Sequence, residues 1–230
     1  ANNDWVVTHR LIAEKGGSAA YEDVVDKFQE LYLGGLRDTE SLLPDKDLLR
    51  GLTSQFKSAV VTGRPREDAE YFLDLFGLTD CFQCLVCMED TPKPKPDPAP
   101  VLKALTLLDI NADDACQVLM FGDTVDDIRA GVDAGCIGVG VRLPNGSDAG
   151  ARLLAAAGAD AVLAHGLEAC RSLLPVVSIS SPQTVPSCVL ARHTPSQILR
   201  GETTLYRVST SPVISQIVLD IVSDVEKNKE

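Results

Sequence analysis

The feature that most constrains the fold is an alternation of short apolar runs with longer amphipathic ones, from Lys57 to about Leu174. The runs are SAVVTG, REDAEYFLDLFGL, CLVCMED, APVLKALTLLDI, QVLMFGD, VDDIRAGVDAG and IGVGV. Short continuous apolar runs are typical of buried parallel strands, and amphipathic runs are typical of the helices that connect them. The alternation predicts an α/β fold with a Rossmann-like parallel sheet and flanking helices.

The chain divides by pattern into three parts. Residues 1–45 predict a helical segment, because apolar residues recur there at the spacing of one helix face. Residues 46–175 hold the predicted α/β core. Residues 176–230 begin as a linker rich in Ser, Thr and Pro and end in an apolar stripe from Val213 to Val225, which predicts an amphipathic helix. We interpret that helix as the start of another domain, with packing on the core or on a partner helix as the alternative.

Composition limits the partners and the compartment. A formal net charge of −12 argues against nucleic acid and anionic membrane surfaces as partners, since both need a basic patch. No apolar run approaches the roughly eighteen residues needed to span a bilayer. Seven cysteines, an odd number, favour a reducing, cytoplasmic setting. Cys81, Cys84 and Cys87 have the spacing of an iron–sulfur or zinc site, but a strand from Cys84 onward would turn neighbours three apart to opposite faces.

Three carboxylates follow the apolar run QVLM within five residues, in FGDTVDDIRAG. Ligands of parallel sheets bind beyond the carboxyl ends of the strands, and Asp123 lies at such an end. Asp127 follows one helical turn later and points the same way. Two hard oxygen ligands at one place predict a Mg²⁺ site. Helix capping is the alternative interpretation, because acids are also favoured in the first turn of a helix.

Two more strand ends carry polar groups. In VVTGRPRED, the Thr62 hydroxyl and the amides of a helix N-terminus predict an anion site, and Gly63 lets the backbone approach a ligand. A plain strand–turn–helix junction is the alternative. In TPKPKPDPAP, Lys95 lies between Pro94 and Pro96, which stiffen the loop; a solvated surface loop is the alternative. An anion site, a fixed cation and a metal site are the parts that phosphoryl transfer requires.

These motifs resemble those of the haloacid dehalogenase superfamily. VVTGRP is similar to its second motif, the lysine of KPDP to its third and GDTVDD to its fourth, in the family's order from about residue 42 to 174. The helical segment before them resembles the α-helical cap of subfamily I, which includes phosphoglycolate-phosphatase-like enzymes. The opening ANNDWVVTHRL resembles a small subgroup whose members carry a histidine-biosynthesis label.

The resemblance implies a Mg²⁺-dependent phosphatase that acts on a small phosphorylated metabolite through a phospho-aspartate. By it, Thr62 holds the phosphoryl group with Gly63, Arg64 contacts the substrate, and Lys95 neutralises charge. The metal ligands would be Asp123 and Asp127. A phosphomutase or phosphonatase relative, and a non-catalytic binding module with this fold, are the alternatives. The sequence leaves the substrate's identity and the oligomeric state open.

One motif of the family has no match. The first motif, an Asp-x-Asp at the end of a central first strand, supplies the nucleophile and the acid/base, and no segment before Thr62 fits it. Asp45 and Asp47 have the spacing, but they follow no apolar run and predict a helix start. We therefore expect a fragment without its nucleophile, hence inactive, and a sheet whose missing central strand leaves two unpaired edges. Pro175–Ser180 is the spare β-like run that could fill the gap.

Overall fold

Helices and strands alternate through the computed structural model of the chain, which describes residues 3–144, 146–163, 216–219 and 223–225. The helices are α1 (Asp4–Glu14), α2 (Tyr21–Leu33), α3 (Lys46–Thr53), α4 (Arg66–Leu75), α5 (Ala99–Leu107), α6 (Val125–Asp133) and α7 (Asp148–Ala156). The strands are β1 (Glu40–Leu42), β2 (Lys57–Val61), β3 (Cys84–Val86), β4 (Val118–Gly122), β5 (Ile137–Val141), β6 (Ala161–Leu163), β7 (Gln216–Leu219) and β8 (Ser223–Val225).

Six of the strands form one sheet in the order β3-β2-β7-β4-β5-β6, and every neighbouring pair in it is parallel. The helices α4, α5, α6 and α7 lie in the connections between its first five strands along the chain. This confirms the predicted α/β, Rossmann-like parallel sheet with flanking helices.

Both faces of the sheet are covered, which explains why its strands are continuous apolar runs. In β2, Val60 packs into one buried cluster and Ala59 and Val61 into another, since successive side chains point to opposite faces. The first cluster contains α3 and α4 residues, and the second contains α5 and α6 residues. Each fully buried Val or Leu contributes about 1.5–3 kcal/mol, so these two layers hold the strand ends in place.

The expectation of an unpaired gap in the sheet is wrong. β7 lies between β2 and β4 and pairs with both in parallel, with Leu219 in register with Val60 on one side and with Phe121 on the other. The physical reason is that two facing strand edges offer a complete ladder to a third strand. The strand that fills the gap is not Pro175–Ser180, which lies outside the described residues.

The predicted amphipathic helix from Val213 to Val225 is also wrong at its described positions. Gln216–Leu219 is strand β7, and Ser223–Val225 is strand β8, which pairs antiparallel with β1. The apolar stripe consists of Val and Ile, whose branched side chains favour strands. Pairing with the neighbouring strands therefore outweighs the helical spacing of these residues.

The N-terminal helices precede the core and pack against each other. The imidazole of His9 in α1 lies edge-on to the ring of Tyr21 in α2, with centroids 5.8 Å apart, and its Nε2 is 3.2 Å from the carbonyl oxygen of Ala19. A short 3-10 turn and β1 then lead to α3, where the Asp45 carboxylate caps the helix by accepting from the Leu48 amide at 2.7 Å. The predicted helix start at Asp45 is confirmed. The domain limits at 45 and 175 stay predictions.

Within the described residues, none of the helices combines the length and the apolar composition that crossing a bilayer requires.

Candidate active site

Thr62 directly follows β2 and is buried. Its amide donates to the carbonyl oxygen of Val86 at 2.9 Å, which continues the ladder to β3. Its Oγ1 accepts from the amide of Arg64 at 3.2 Å, so the hydroxyl is oriented by the turn that leads into α4. Pro65 precedes the first turn of α4 and makes no side-chain cap there. The turn therefore presents a hydroxyl oxygen and a helix N-terminus at the carboxyl edge of the sheet, as the anion-site prediction requires.

Lys95 itself is buried rather than solvated, although Pro94 and Pro96 on either side of it are exposed, so the solvated alternative is wrong for the lysine and not for the whole loop. Its Nζ donates to the carbonyl oxygen of Val61 at 3.0 Å and lies 2.7 Å from Oδ1 of Asp127. A buried ammonium requires such partners, because an unpaired buried charge loses several kcal/mol of hydration. The lysine thus ties the end of β2 to the start of α6, two places that are far apart in the sequence.

Asp127 is fully buried and uses both of its carboxylate oxygens. Oδ1 faces Lys95, while Oδ2 accepts from the amide of Thr124 at 3.0 Å and from its hydroxyl at 2.6 Å. With the Thr124 hydroxyl accepting from the Asp127 amide, these bonds form a capping box at the start of α6. The capping interpretation is therefore confirmed for Asp127, and its role as a metal ligand stays a prediction.

Gly122 explains how α6 comes so close to β4. A Cβ at this position would lie 2.2 Å from the Cβ of Asp127, closer than real side chains approach each other. Gly122 is thus required for Asp127 to pack against the end of β4. Its role is steric, because it leaves room for Asp127, and it does not depend on a positive φ.

Asp123, immediately after β4, is the carboxylate whose environment suits a cation. Burial is the largest cause that raises its pKa, and the charge of Asp127 raises it further. Its own backbone hydrogen bond and Lys95 lower the pKa in part. A divalent cation would relieve this crowding of negative charge. Mg²⁺ fits, because it binds through one or two carboxylates and keeps waters and substrate oxygens as its other ligands. The described part of the chain holds no cluster of three His, Cys, Asp or Glu side chains that could bind a metal alone.

Two cysteines of the C-x2-C-x2-C segment, Cys84 and Cys87, are not activated thiols. Burial raises the pKa of Cys84 to about 11 and that of Cys87 to about 12. Both thiols are therefore protonated at neutral pH and are poor nucleophiles.

Arg64 is held by residues that the sequence did not indicate. Its guanidinium contacts both carboxylate oxygens of Glu40, with Nη2 at 2.9 Å from Oε1 and Nη1 at 3.0 Å from Oε2. Nη1 also donates to the hydroxyl of Tyr32 at 3.3 Å. Burial raises the pKa of Tyr32, so the phenol keeps its proton and donates to Glu40. Glu40 and Tyr32 are far from Arg64 in the sequence, and no motif links them; only docking of the N-terminal helices onto the core brings them together.

A cavity of about 270 Å³ lies beside the Thr62 turn, between the N-terminal helices and the core. Its lining residues are Asn3, Asp4, Trp5, Phe28, Tyr32, Leu36, Glu40, Gly63, Arg64, Pro65, Asp68 and Met88. Because Gly63 and Arg64 follow Thr62 directly, the cavity adjoins the predicted phosphoryl site. The structure therefore brings together Thr62, Gly63 and Arg64 on one side, and Lys95 with Asp127 on the other.

Comparison with known proteins gives a consistent result. The model of the haloacid dehalogenase-like hydrolase family matches residues 10–141. A Phytophthora nicotianae protein named imidazoleglycerol-phosphate dehydratase is 41% identical over 201 residues, which cover 79% of this chain and 44% of that protein. A phosphoglycolate phosphatase of Psychrobacter arcticus is 34% identical over 102 residues, covering 44% of this chain and 43% of the relative. The chain thus spans less than half the length of these two relatives.

The fold also matches solved structures. The crystal structure of a predicted phosphoglycolate phosphatase from Haemophilus somnus superposes with a TM-score of 0.57 at 23% identity. The superposition covers 70% of this chain and 71% of that chain.

Proposed function

The chain belongs to the haloacid dehalogenase-like hydrolase family, and from this premise we propose that it is a Mg²⁺-dependent phosphatase of a small phosphorylated metabolite, working through a phospho-aspartate. The observation that carries the proposal is the buried Lys95, whose ammonium bridges the end of β2 and the carboxylate of Asp127. A cation fixed at this edge neutralises phosphoryl oxygens without reorganisation, which is the main task of phosphoryl-transfer catalysts.

Each residue of the site has a role in the proposal. The Thr62 hydroxyl and the amides of the following turn bind the transferring phosphoryl group, and Lys95 balances its charge. Asp123 and Asp127 would hold Mg²⁺, and Asp127 also fixes the lysine and the start of α6. Bound Mg²⁺ would supply further charge neutralisation at the phosphoryl oxygens. Arg64, paired with Glu40, is placed to contact the leaving group.

The nucleophile is the part of the chemistry that the described residues do not supply. Among them, no Asp-x-Asp follows a strand of the parallel sheet. The place between β2 and β4 is taken by β7, after which the sequence continues with Asp220, a residue outside the described ones. An Asp220→Asn variant therefore belongs in the test of the proposal.

The name of the Phytophthora relative describes a dehydration, but we assign phosphatase chemistry to this chain. The alignment covers 79% of this chain, which is too large a share to leave out the segment from Thr62 to Asp127. That segment holds the groups suited to phosphoryl transfer.

The test is hydrolysis of p-nitrophenyl phosphate with and without Mg²⁺, by this chain and by any longer form in which it occurs. We expect no turnover by this chain unless it supplies a nucleophile, and Mg²⁺-dependent turnover by a form that does. Asp123→Asn should lower that turnover at least about 100-fold, the scale of losing one charge-stabilising group. Asp133→Asn, at the exposed end of α6, is the matched control and retains activity. If this chain alone is active, Asp220→Asn shows whether that carboxylate is required.

Folded protein that is inactive in both forms would refute the phosphatase. Turnover that survives Asp123→Asn would remove the metal site from the proposal and return the acidic cluster to a purely structural role.

We also propose a reducing, cytoplasmic setting. All five described cysteines are free thiols. Thiol titration of the natively purified, denatured protein should find seven free thiols, and fewer would contradict this setting.

A further inference from the structure

The cavity beside the Thr62 turn has a strongly uneven charge. Three carboxylates line it, those of Asp4, Glu40 and Asp68, against the one guanidinium of Arg64. From this wall we infer that the cavity receives the leaving group of the substrate and selects a small phosphate ester bearing an amine, with Asp68 as the group that binds the ammonium. The inference rests on the proposed phosphatase function and narrows its substrate class.

Arg64 does not make the cavity attractive to anions. Glu40 holds its guanidinium through two contacts, at 2.9 and 3.0 Å, and the Tyr32 hydroxyl accepts a third. Such a bidentate pair is close to neutral as a unit. The remaining charge on the wall is then that of Asp68 and Asp4, and it is negative.

Asp68 is buried to 7% exposure, yet its hydrogen bonding is poor. The donor that reaches it is the side-chain amide of Gln29, at 3.4 Å from Oδ2, a long distance for a hydrogen bond. The other side of that amide, Oε1 of Gln29, is buried and has no hydrogen-bond partner within the described part of the chain. Burial raises the pKa of Asp68, although the hydrogen bond from Gln29 and the charge of Arg64 lower it in part. The long bond and the unpaired Oε1 leave the two side chains with capacity for a further donor.

A favourable interaction with the helix dipole does not explain why Asp68 is buried. An acid in the first turn of α4 favours the helix dipole, but Glu67 lies in the same turn and is exposed. Because Glu67 already interacts with the dipole of α4, burying Asp68 as a second acid costs desolvation energy and adds little favourable dipole energy. A ligand ammonium would remove that penalty, since a paired buried charge is far less costly than a lone one.

The aromatic part of the lining fits the rest of such a ligand. Trp5 from α1 and Phe28 and Tyr32 from α2 line the same cavity as Asp68. Aromatic faces attract cations and also cover the carbon atoms next to them. The volume of about 270 Å³ is below the range of pockets for drug-sized ligands, which limits the leaving group to a small one.

The same wall would disfavour an anionic leaving group. The leaving group of phosphoglycolate carries a carboxylate, which would share the cavity with the carboxylates of Asp68 and Asp4. Like charges repel more strongly where water is excluded. Selectivity here should therefore differ from that named for the Psychrobacter relative.

The chain contains a single tryptophan, Trp5, and it lies in the cavity. Its fluorescence therefore reports binding there, whether or not the ester is hydrolysed. The experiment titrates the full chain with O-phosphoethanolamine, ethyl phosphate and phosphoglycolate, which carry cationic, neutral and anionic leaving groups. We expect the amine to bind at least tenfold more tightly than phosphoglycolate, and Asp68→Asn to abolish that preference.

Asp74→Asn, an exposed acid on the same helix, is the matched control and should keep the preference. For hydrolysis, Asp68→Asn should raise KM for the amine ester, while Asp74→Asn should leave that KM and the turnover of p-nitrophenyl phosphate unchanged. Equal binding of the three esters, tighter binding of phosphoglycolate, or a preference unchanged in Asp68→Asn would overturn the inference. Selective binding without any hydrolysis would support it and count against the proposed function instead.

Discussion

Removing the charge of Asp127 while leaving Lys95 in place should destabilise this protein severely. In Asp127→Asn the ammonium stays buried, since the side chains of Lys95 and Asp127 are 2% and 0% exposed. It would lose the carboxylate oxygen at 2.7 Å and keep the Val61 carbonyl as a neutral acceptor. Breaking a buried pair from one side costs about 3–5 kcal/mol, because the partner's charge is left uncompensated. That is a large part of the 5–15 kcal/mol that stabilises an ordinary domain.

A double-mutant cycle separates this effect from simple loss of packing. The free energy of unfolding is measured in urea by far-UV circular dichroism for the native chain, Lys95→Met, Asp127→Asn and the double variant. The double variant should be more stable than Asp127→Asn alone, because the buried ammonium that faced Asp127 is gone. A loss below about 1 kcal/mol in Asp127→Asn, or strict additivity of the two changes, would refute the argument from burial.

Two further predictions concern the sheet and the cavity. Proline at Val218 should cost about 3 kcal/mol or more, because this residue is in register with Ala59 on one side and Met120 on the other, and proline removes a donor from the ladder. Val218→Ala keeps the amide and serves as the control in urea unfolding; equal losses in both would contradict the pairing of β7. Burial raises the pKa of Asp68 above 3.8, so only at pH values between 3.8 and the raised pKa does the folded form hold a proton that the unfolded chain has lost. Its contribution is present below pH 3.8 and is lost as pH rises through the raised pKa. Asp68→Asn should therefore raise the melting temperature at pH 7 and reduce the loss of stability between pH 4 and pH 7. If the melting temperature of the variant changes between pH 4 and pH 7 as much as that of the native chain, the prediction is wrong.

Much of the core could be predicted because its signals are local. The strand ending at Val61 and the strand ending at Gly122 are buried on both faces, so they stand out as continuous apolar runs. The carboxyl ends of parallel strands lie at one edge of the sheet. Residues in the segments that follow these ends, such as Thr62, Lys95 and Asp123, could therefore be grouped from the sequence. Capping and metal binding could not be separated for Asp127, since both place an acid in the first turn of a helix.

The remaining features depend on contacts that a sequence pattern does not encode. The stripe from Val213 to Val225 fits a helix by period and a strand by its branched residues, and only the open edges of β2 and β4 decide between them. The pair of Arg64 with Glu40 joins the N-terminal region to the core. Asp68 gave no signal in the sequence, because an acid early in a helix is ordinary until its burial is known.

The position of β7 has a consequence for synthesis of the chain. It is the last strand of the sheet along the sequence, but it lies third in the sheet, between strands made much earlier. Until it leaves the ribosome, β2–β3 and β4–β5–β6 are two half-sheets with open edges. Pairing across so large a sequence separation gives a high contact order and slow closure. Unpaired parallel edges also invite association with other nascent chains. We therefore expect the growing polypeptide to be prone to such association until β7 is translated.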